Sequence, residues 1–257
     1  MNTGMEKVIL EVKNLDKTYV SDGVKNPVIK NMNLDIYDGD FTVVMGPSGS
    51  GKSTLLYCLG AMEDVTGGSI LFQGKDVTRM KENALSDLRL KEFGFIFQQI
   101  HLVSNLSLFE NVILPGLALP ENTNEEVRKR ALVLLERFQV REVSERLPSQ
   151  VSGGEQQRAA IARSLINQPT ILFADEPTGA LNQSNSEIVM DLFSELNQQG
   201  QSILLVTHDR RAALRGDRIV YIIDGAIKSE MRLDPYDHAQ VKEREGTVNA
   251  WLSSLGW

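Results

Sequence analysis

The run Gly46-Pro47-Ser48-Gly49-Ser50-Gly51-Lys52-Ser53-Thr54 limits this chain more than any other segment. It fits G-x-x-x-x-G-K-[ST]. The apolar stretch 41–45 precedes it, and residues 52–60 read as a helix. Strand, glycine loop, helix is the context a phosphate-binding loop requires. The glycines let consecutive backbone N–H groups turn inward as an anion nest, and the helix start adds its positive end. In such a loop Lys52 reaches the β- and γ-phosphates of a nucleotide, and the Ser53 hydroxyl coordinates Mg²⁺.

A second segment completes the chemistry. Ile171-Leu172-Phe173-Ala174-Asp175-Glu176 is an apolar strand ending in two carboxylates. Buried parallel strands read as continuous apolar runs, and ligands of open α/β sheets sit beyond the carboxyl ends of the strands. Asp175 and Glu176 are therefore expected to face the phosphate loop. Consecutive strand residues point to opposite faces, so the two carboxylates need not share a job. Asp175 suits Mg²⁺ through its water shell, and Glu176 suits a base that orients the attacking water.

The rest of the chain supplies an α/β frame. Residues 8–20 and 28–37 read as strands, with turns at Asp22-Gly23 and Asp38-Gly39-Asp40. Stretches 70–72 and 94–97 read as further strands, and from 98 to 167 the pattern turns helical, with an amphipathic helix over 125–138. Alternation then resumes: strand 170–174, helix 184–199, strand 202–206, helix 210–214, strand 218–223. This is an α/β core with a helical insertion. From Asp234 a charged, partly helical tail follows, whose Trp251 and Trp257 suit either a small satellite core or a dimer contact.

Composition removes other classes. The net charge of -7 argues against nucleic acid, which needs a basic surface. Cys58 is the only cysteine, so no disulfide framework or Cys-rich zinc site forms within the chain. No uncharged apolar run is long enough to span a bilayer, and residues 1–15 lack the pattern of a signal peptide.

A third motif brings in a family. Val151-Ser152-Gly153-Gly154-Glu155-Gln156-Gln157-Arg158 closely resembles the ABC ATPase signature, usually written LSGGQ-x-Q-R. It lies between the phosphate loop and the acidic strand, as in that family. A serine and two glycines ahead of a helix also make a second anion site. The resemblance runs from about residue 8 to 230. It implies an α/β fold: a P-loop NTPase core with a mixed sheet, an N-terminal antiparallel β-subdomain and an inserted α-helical subdomain over about 98–167. It makes 1–233 one ATPase domain and 234–257 a C-terminal helical tail.

Further roles follow from the resemblance alone. It implies that Tyr19 stacks on adenine, that Gln98 touches Mg²⁺ or the water, and that His208 contacts the γ-phosphate. Two ATPase subunits, expected as a homodimer, pack head to tail. Each ATP then lies between one chain's phosphate loop and the other chain's Ser152, Gly153, Gly154 and Glu155. The implied activity is hydrolysis of Mg-ATP on the cytoplasmic face of the membrane, powering a separate transmembrane permease that docks on the helical insertion near residues 97–114.

The sequence departs from the family pattern at Val151, at Glu155 in place of Gln, and at Asn182, where an Asp usually stands. Residues 174–181 and 110–115 are similar to the branch of macrolide-efflux, lipoprotein-release and bacitracin-resistance ATPases. The same motifs would also serve a signalling or scaffolding ATPase that drives transmembrane mechanotransmission without transport.

Overall fold

The computed structural model describes residues 7–257. Strands β1 (Val8–Ser21) and β2 (Val24–Tyr37) form an antiparallel hairpin. Its two-residue turn, Asp22-Gly23, holds both residues at positive φ, 51° and 79°, the geometry that favours Asp-Gly in tight hairpins. Strand β3 (Phe41–Met45) leads through the glycine loop into helix α1 (Lys52–Leu59). Strands β4 (Gly67–Phe72) and β5 (Lys75–Asp76) then join the hairpin in a four-stranded antiparallel sheet of order β2-β1-β4-β5.

Helix α2 (Glu82–Glu92) and strand β6 (Phe93–Ile96) precede three helices: α3 (Leu108–Ala118), α4 (Asn124–Arg137) and α5 (Gly153–Leu165). The chain then alternates through β7 (Ile171–Asp175), α6 (Gln183–Gln198), β8 (Ser202–Val206), α7 (Arg210–Ala213) and β9 (Arg218–Ile223). Strand β10 (Ala226–Arg232) and helix α8 (Val241–Ser254) close it. The second sheet has the order β10-β9-β3-β8-β7-β6, with β10 antiparallel to its neighbour and the other pairs parallel.

Every residue of β3, β7 and β8 is buried, as strands covered on both faces must be. The period of two sorts them. Phe41, Val43, Leu172, Ala174, Ile203 and Leu205 face one core, built with α3 to α6. Val44, Phe173, Leu204 and Val206 face the other, against α1 and the antiparallel sheet. Because β3, β8, β7 and β6 are parallel neighbours, the phosphate loop, His208, Glu176 and Gln98 all emerge at one sheet edge.

Four details differ from the sequence reading. Residues 98–106 are irregular, and the helical run begins only at Leu108, capped by Ser107 and Glu110. Helix α2 buries no residue fully, so it has no strong apolar periodicity to read. The edge strand β10 alternates only between exposed and half-buried residues. In the tail, Val248 and Leu252 are fully buried in the main core, and Trp251 and Trp257 meet Tyr221 edge-on at 6.2 and 5.6 Å. The tail tryptophans thus extend the main core rather than closing a satellite one.

Candidate functional site

The phosphate loop is shaped by close approaches. A Cβ on Gly46 would lie 2.1 Å from the Ile222 carbonyl oxygen. Gly51 has φ 97°, and a Cβ there would lie 2.9 Å from the Val28 carbonyl oxygen. Only glycine meets both demands. Pro47, Ser48 and Gly49 form the exposed rim, while Ser50 is buried with its hydroxyl unpartnered. Lys52 folds over its own loop and donates from Nζ to the carbonyls of Gly46 at 2.8 Å and Pro47 at 3.0 Å. Burial lowers its pKa, against the opposing pull of Glu176 and Asp175. A buried cation whose only bonds are to neutral carbonyls suits an anionic ligand.

Asp175, only 7% exposed, is held by two hydroxyls from one helix face. Ser53 Oγ donates to Oδ1 at 2.8 Å and Tyr57 OH to Oδ2 at 2.8 Å. Ser53 and Tyr57 are four residues apart on α1 and so lie one above the other. Burial, and then the bond to Asp175, pushes the Tyr57 hydroxyl up to about 12, so it stays a donor. The sequence reading missed Tyr57; the i, i+4 spacing from Ser53 was the signal that could have found it.

Glu176 turns the other way. Its φ is 47°, a left-handed value that costs a non-glycine residue about 1–3 kcal/mol. Its backbone N–H donates to the Val206 carbonyl at 2.9 Å. The carboxylate is then aimed at the end of β8. Oε1 accepts from the His208 backbone N–H at 3.0 Å and lies 2.7 Å from His208 Nδ1. Oε2 accepts from Thr207 Oγ1 at 3.1 Å. The strain sets Glu176 beside His208 while Asp175 remains with α1. Gln98, exposed at the end of β6, packs on the loop after Glu176: a Cβ on Gly179 would lie 3.0 Å from its Nε2.

Tyr19 stands on β1 at the flank of the loop, 38% exposed. Its hydroxyl donates to Glu63, and Lys17 Nζ sits 4.7 Å from its ring centroid. Burial and the Glu63 bond raise its pKa, while a hydrogen bond with Thr54 at the end of the phosphate loop lowers it.

The turn at residues 152–155 is a capping box at the start of α5. Ser152 Oγ accepts from the Glu155 N–H at 3.3 Å. The Glu155 carboxylate in return accepts from Ser152 N–H and Oγ, both at 2.7 Å. Those bonds hold the Glu155 carboxyl below its ordinary pKa. Ser152 and Gly153 are exposed, while a Cβ on Gly154 would lie 2.4 Å from Asn185 Oδ1. Asn182 accepts from the Asn185 N–H at 3.0 Å and caps α6, a role Asn and Asp fill about equally.

The fold therefore brings Lys52, Ser53, Asp175, Glu176, His208 and Gln98 to one edge, with Tyr19 and Thr54 beside them. The hydrogen bonds of Ser152 and Glu155 stay within their own turn. Among the described residues no group of three His, Cys, Asp or Glu side chains could hold a metal ion by itself. The Ser53 hydroxyl, the Asp175 carboxylate and the Gln98 amide instead offer a few hard oxygen donors, as suits Mg²⁺, which takes its other ligands from phosphate and water.

The chain is similar to known proteins in both sequence and fold. The family model described as "ABC transporter" matches residues 29–179. The uncharacterized ABC transporter ATP-binding protein YvrO of Bacillus subtilis is 39% identical, over 88% of this chain and 98% of its own length. The macrolide export ATP-binding/permease protein MacB of Aggregatibacter actinomycetemcomitans is 42% identical over 86% of this chain, which spans only 34% of that longer protein. Among solved structures, a dimeric post-hydrolysis state of the ATP-binding cassette MJ0796 bound to ADP and Pi superposes with a TM-score of 0.82 at 38% identity, covering 88% of this chain and 100% of that one. MJ0796 is a protein of Methanocaldococcus jannaschii. Among the described residues no helix is long and apolar enough to cross a membrane.

Proposed function

This chain belongs to the ABC transporter family, and from that premise we propose that it is the ATP-binding and hydrolysing subunit of an export-type transporter. The observation that carries this reading is the division of labour at the sheet edge. One carboxylate is tied to the phosphate-loop helix by two hydroxyls, and the next is turned toward His208.

The roles follow from placement. The loop N–H groups and Lys52 hold the phosphates. Ser53, Asp175 and Gln98 hold Mg²⁺, which neutralises charge on the phosphates when bound. Glu176 orients the water and takes its proton, and His208 holds that carboxylate in place. Tyr19 stacks on the base. The exposed Ser152–Gly153 tip serves the nucleotide of a second copy of the chain, as the dimeric state of MJ0796 suggests. A site completed only by dimer closure ties hydrolysis to motion.

The permease docks where β6 meets the helices. There a cleft of about 230 Å³ is lined by Met62, Phe95, Phe97, Pro115 and Arg163, with Val103 and Leu114 exposed on the same lobe. Of peptide-antibiotic resistance, lipoprotein release and efflux, efflux is the service that the name of the MacB relatives supports. Such a complex places the chain on the cytoplasmic face of the membrane.

The test is size-exclusion chromatography of Glu176→Gln. It is expected to elute as a dimer with Mg-ATP and as a monomer without it, and adding Ser152→Arg should return it to a monomer. A Glu176→Gln dimer that forms equally well with Ser152→Arg would sink the two-chain site.

A further inference from the structure

Helix α8 is joined to the segment that carries His208 by one buried side chain. Arg244 is 8% exposed. Its Nε donates to the Leu214 carbonyl at 2.6 Å, Nη2 to the Gly216 carbonyl at 2.5 Å and Nη1 to the Asp234 carbonyl at 2.5 Å. Leu214 caps the end of α7, Gly216 lies in the connection to β9, and α7 starts two residues after His208. A cation on the last carbonyls of a helix satisfies groups with no partner in the helix and complements its dipole.

The other end of α7 is tied to the reacting groups. Asp209 caps it, accepting from the Arg211 N–H at 2.9 Å, and donates its own N–H to Thr207 Oγ1 at 2.9 Å. Thr207 Oγ1 in turn donates to Glu176. One short helix therefore links the Arg244 clamp to the Glu176–His208 pair. A second contact runs beside it. A cavity of about 500 Å³ is lined on one side by Glu176, His208 and Arg210 and on the other by Glu245 and Asn249 of α8. The tail thus builds a wall of the hydrolysis site as well as a brace behind it.

Burial alone does not account for the arrangement. Val248 and Leu252 already seat α8 in the core, whereas a buried guanidinium bonded to three carbonyls is costly to place even with the Asp217 and Asp234 carboxylates and the Tyr236 ring nearby. Two of its three bonds reach toward the site, at the α7–β9 connection, and the third fixes the start of the tail at Asp234.

We propose that Arg244 is a positioning residue for His208, and that α8 is a strut holding α7 so that the imidazole stays over Glu176. This rests on the ATPase reading above. It adds a determinant of turnover that lies beyond the residues 29–179 matched by the family model.

The experiment compares wild type, Arg244→Gln and Arg244→Lys in the full chain. It uses steady-state ATPase kinetics, ATP affinity from a fluorescent analogue, and nitrogen-15 spectra of the histidine rings. Both tryptophans of the chain are in the tail, so their emission reports whether α8 stays docked. Arg244→Gln is expected to lower kcat at least fivefold while ATP affinity stays within twofold. The His208 ring signals should move and those of His101 should not. Arg244→Lys, which keeps the charge and loses the fork, should recover part of the turnover. If Arg244→Gln releases α8, the comparison is read from Arg244→Lys.

An unchanged kcat, a fall in kcat with unmoved His208 signals, or a parallel loss of ATP affinity would each overturn the strut. A wild-type chain that binds no ATP would instead overturn the ATPase reading itself.

Discussion

The phosphate loop and the Ser152 turn differ in how far they are finished within one protomer. The phosphate loop is enclosed: Gly46 and Gly51 are pressed against the carbonyls of Ile222 and Val28, Lys52 is buried, and Asp175 is held from two sides. The Ser152 turn is exposed at its tip and is satisfied by Glu155 alone. Three strands and a helix converge on the first turn, whereas the second rests on a helix cap, on Gly154 packed against Asn185 and on the Gln156 bonds to the Pro148 and Val151 carbonyls. Under the proposed function, a site divided this way would bind nucleotide on one side first and be completed when a second chain arrives. Association, rather than loop ordering within the chain, would then be the step coupled to hydrolysis.

Substitutions can break or sharpen that contrast. The largest effect is expected at Glu176→Gln, where loss of the base should lower turnover by about 10²–10⁴-fold, with ATP affinity nearly unchanged. Steady-state hydrolysis and a binding titration on the same sample check both halves. Lys52→Ala comes next. Losing a charge-assisted bond worth about 1.5–3 kcal/mol should weaken ATP binding by about 10–100-fold, measurable by calorimetry; unchanged affinity would remove Lys52 from the phosphate site.

Ser152→Ala acts on the other turn. It deletes the α5 cap and should cost about 0.5–2 kcal/mol of stability, read from urea melts, while leaving nucleotide affinity of the monomer intact. A drop in monomer affinity would show that the two turns are not separate.

A smaller change is expected at Tyr57→Phe, which removes one hydroxyl-to-carboxylate bond from Asp175; water replaces part of its worth of about 1.5–3 kcal/mol. The Mg²⁺ concentration for half-maximal turnover should rise about threefold to tenfold, while ATP binding in EDTA is unaltered. A Mg²⁺ curve that superposes on wild type would dismiss Tyr57 as a support for Asp175. The smallest effect belongs to Asn182→Asp. Both residues cap α6, so hydrolysis should change by less than about tenfold, and a larger change in kcat would give the added charge a role across the dimer.

Much of this was legible in the sequence because the signals are local. The glycine pattern at 46–54 needs a strand before it and a helix after it, and both are visible in apolar runs only a few residues long. The 41–45, 202–206 and 218–223 strands appear with the expected bounds, since buried parallel strands are apolar throughout. Helix α2 and strand β10 were not legible because their residues are mostly half-exposed, leaving no strong apolar period to detect. Residues 98–106 look helical in composition but run as an irregular loop, where Asn111 ties Val103 and Leu106 through side-chain to backbone bonds.

The sequence by itself determined the fold class, the phosphate loop and the acidic strand end, because each is written in residue types at fixed spacing along a short stretch. Only the tertiary structure decided that Asp175 turns to Tyr57 and Glu176 to His208. Neighbouring carboxylates look alike in a string of letters, and the backbone twist at Glu176 separates them. It also decided that the C-terminal tail reaches α7, since the bond between Arg244 and Leu214 joins residues 30 apart along the chain, with β9 and β10 lying between them.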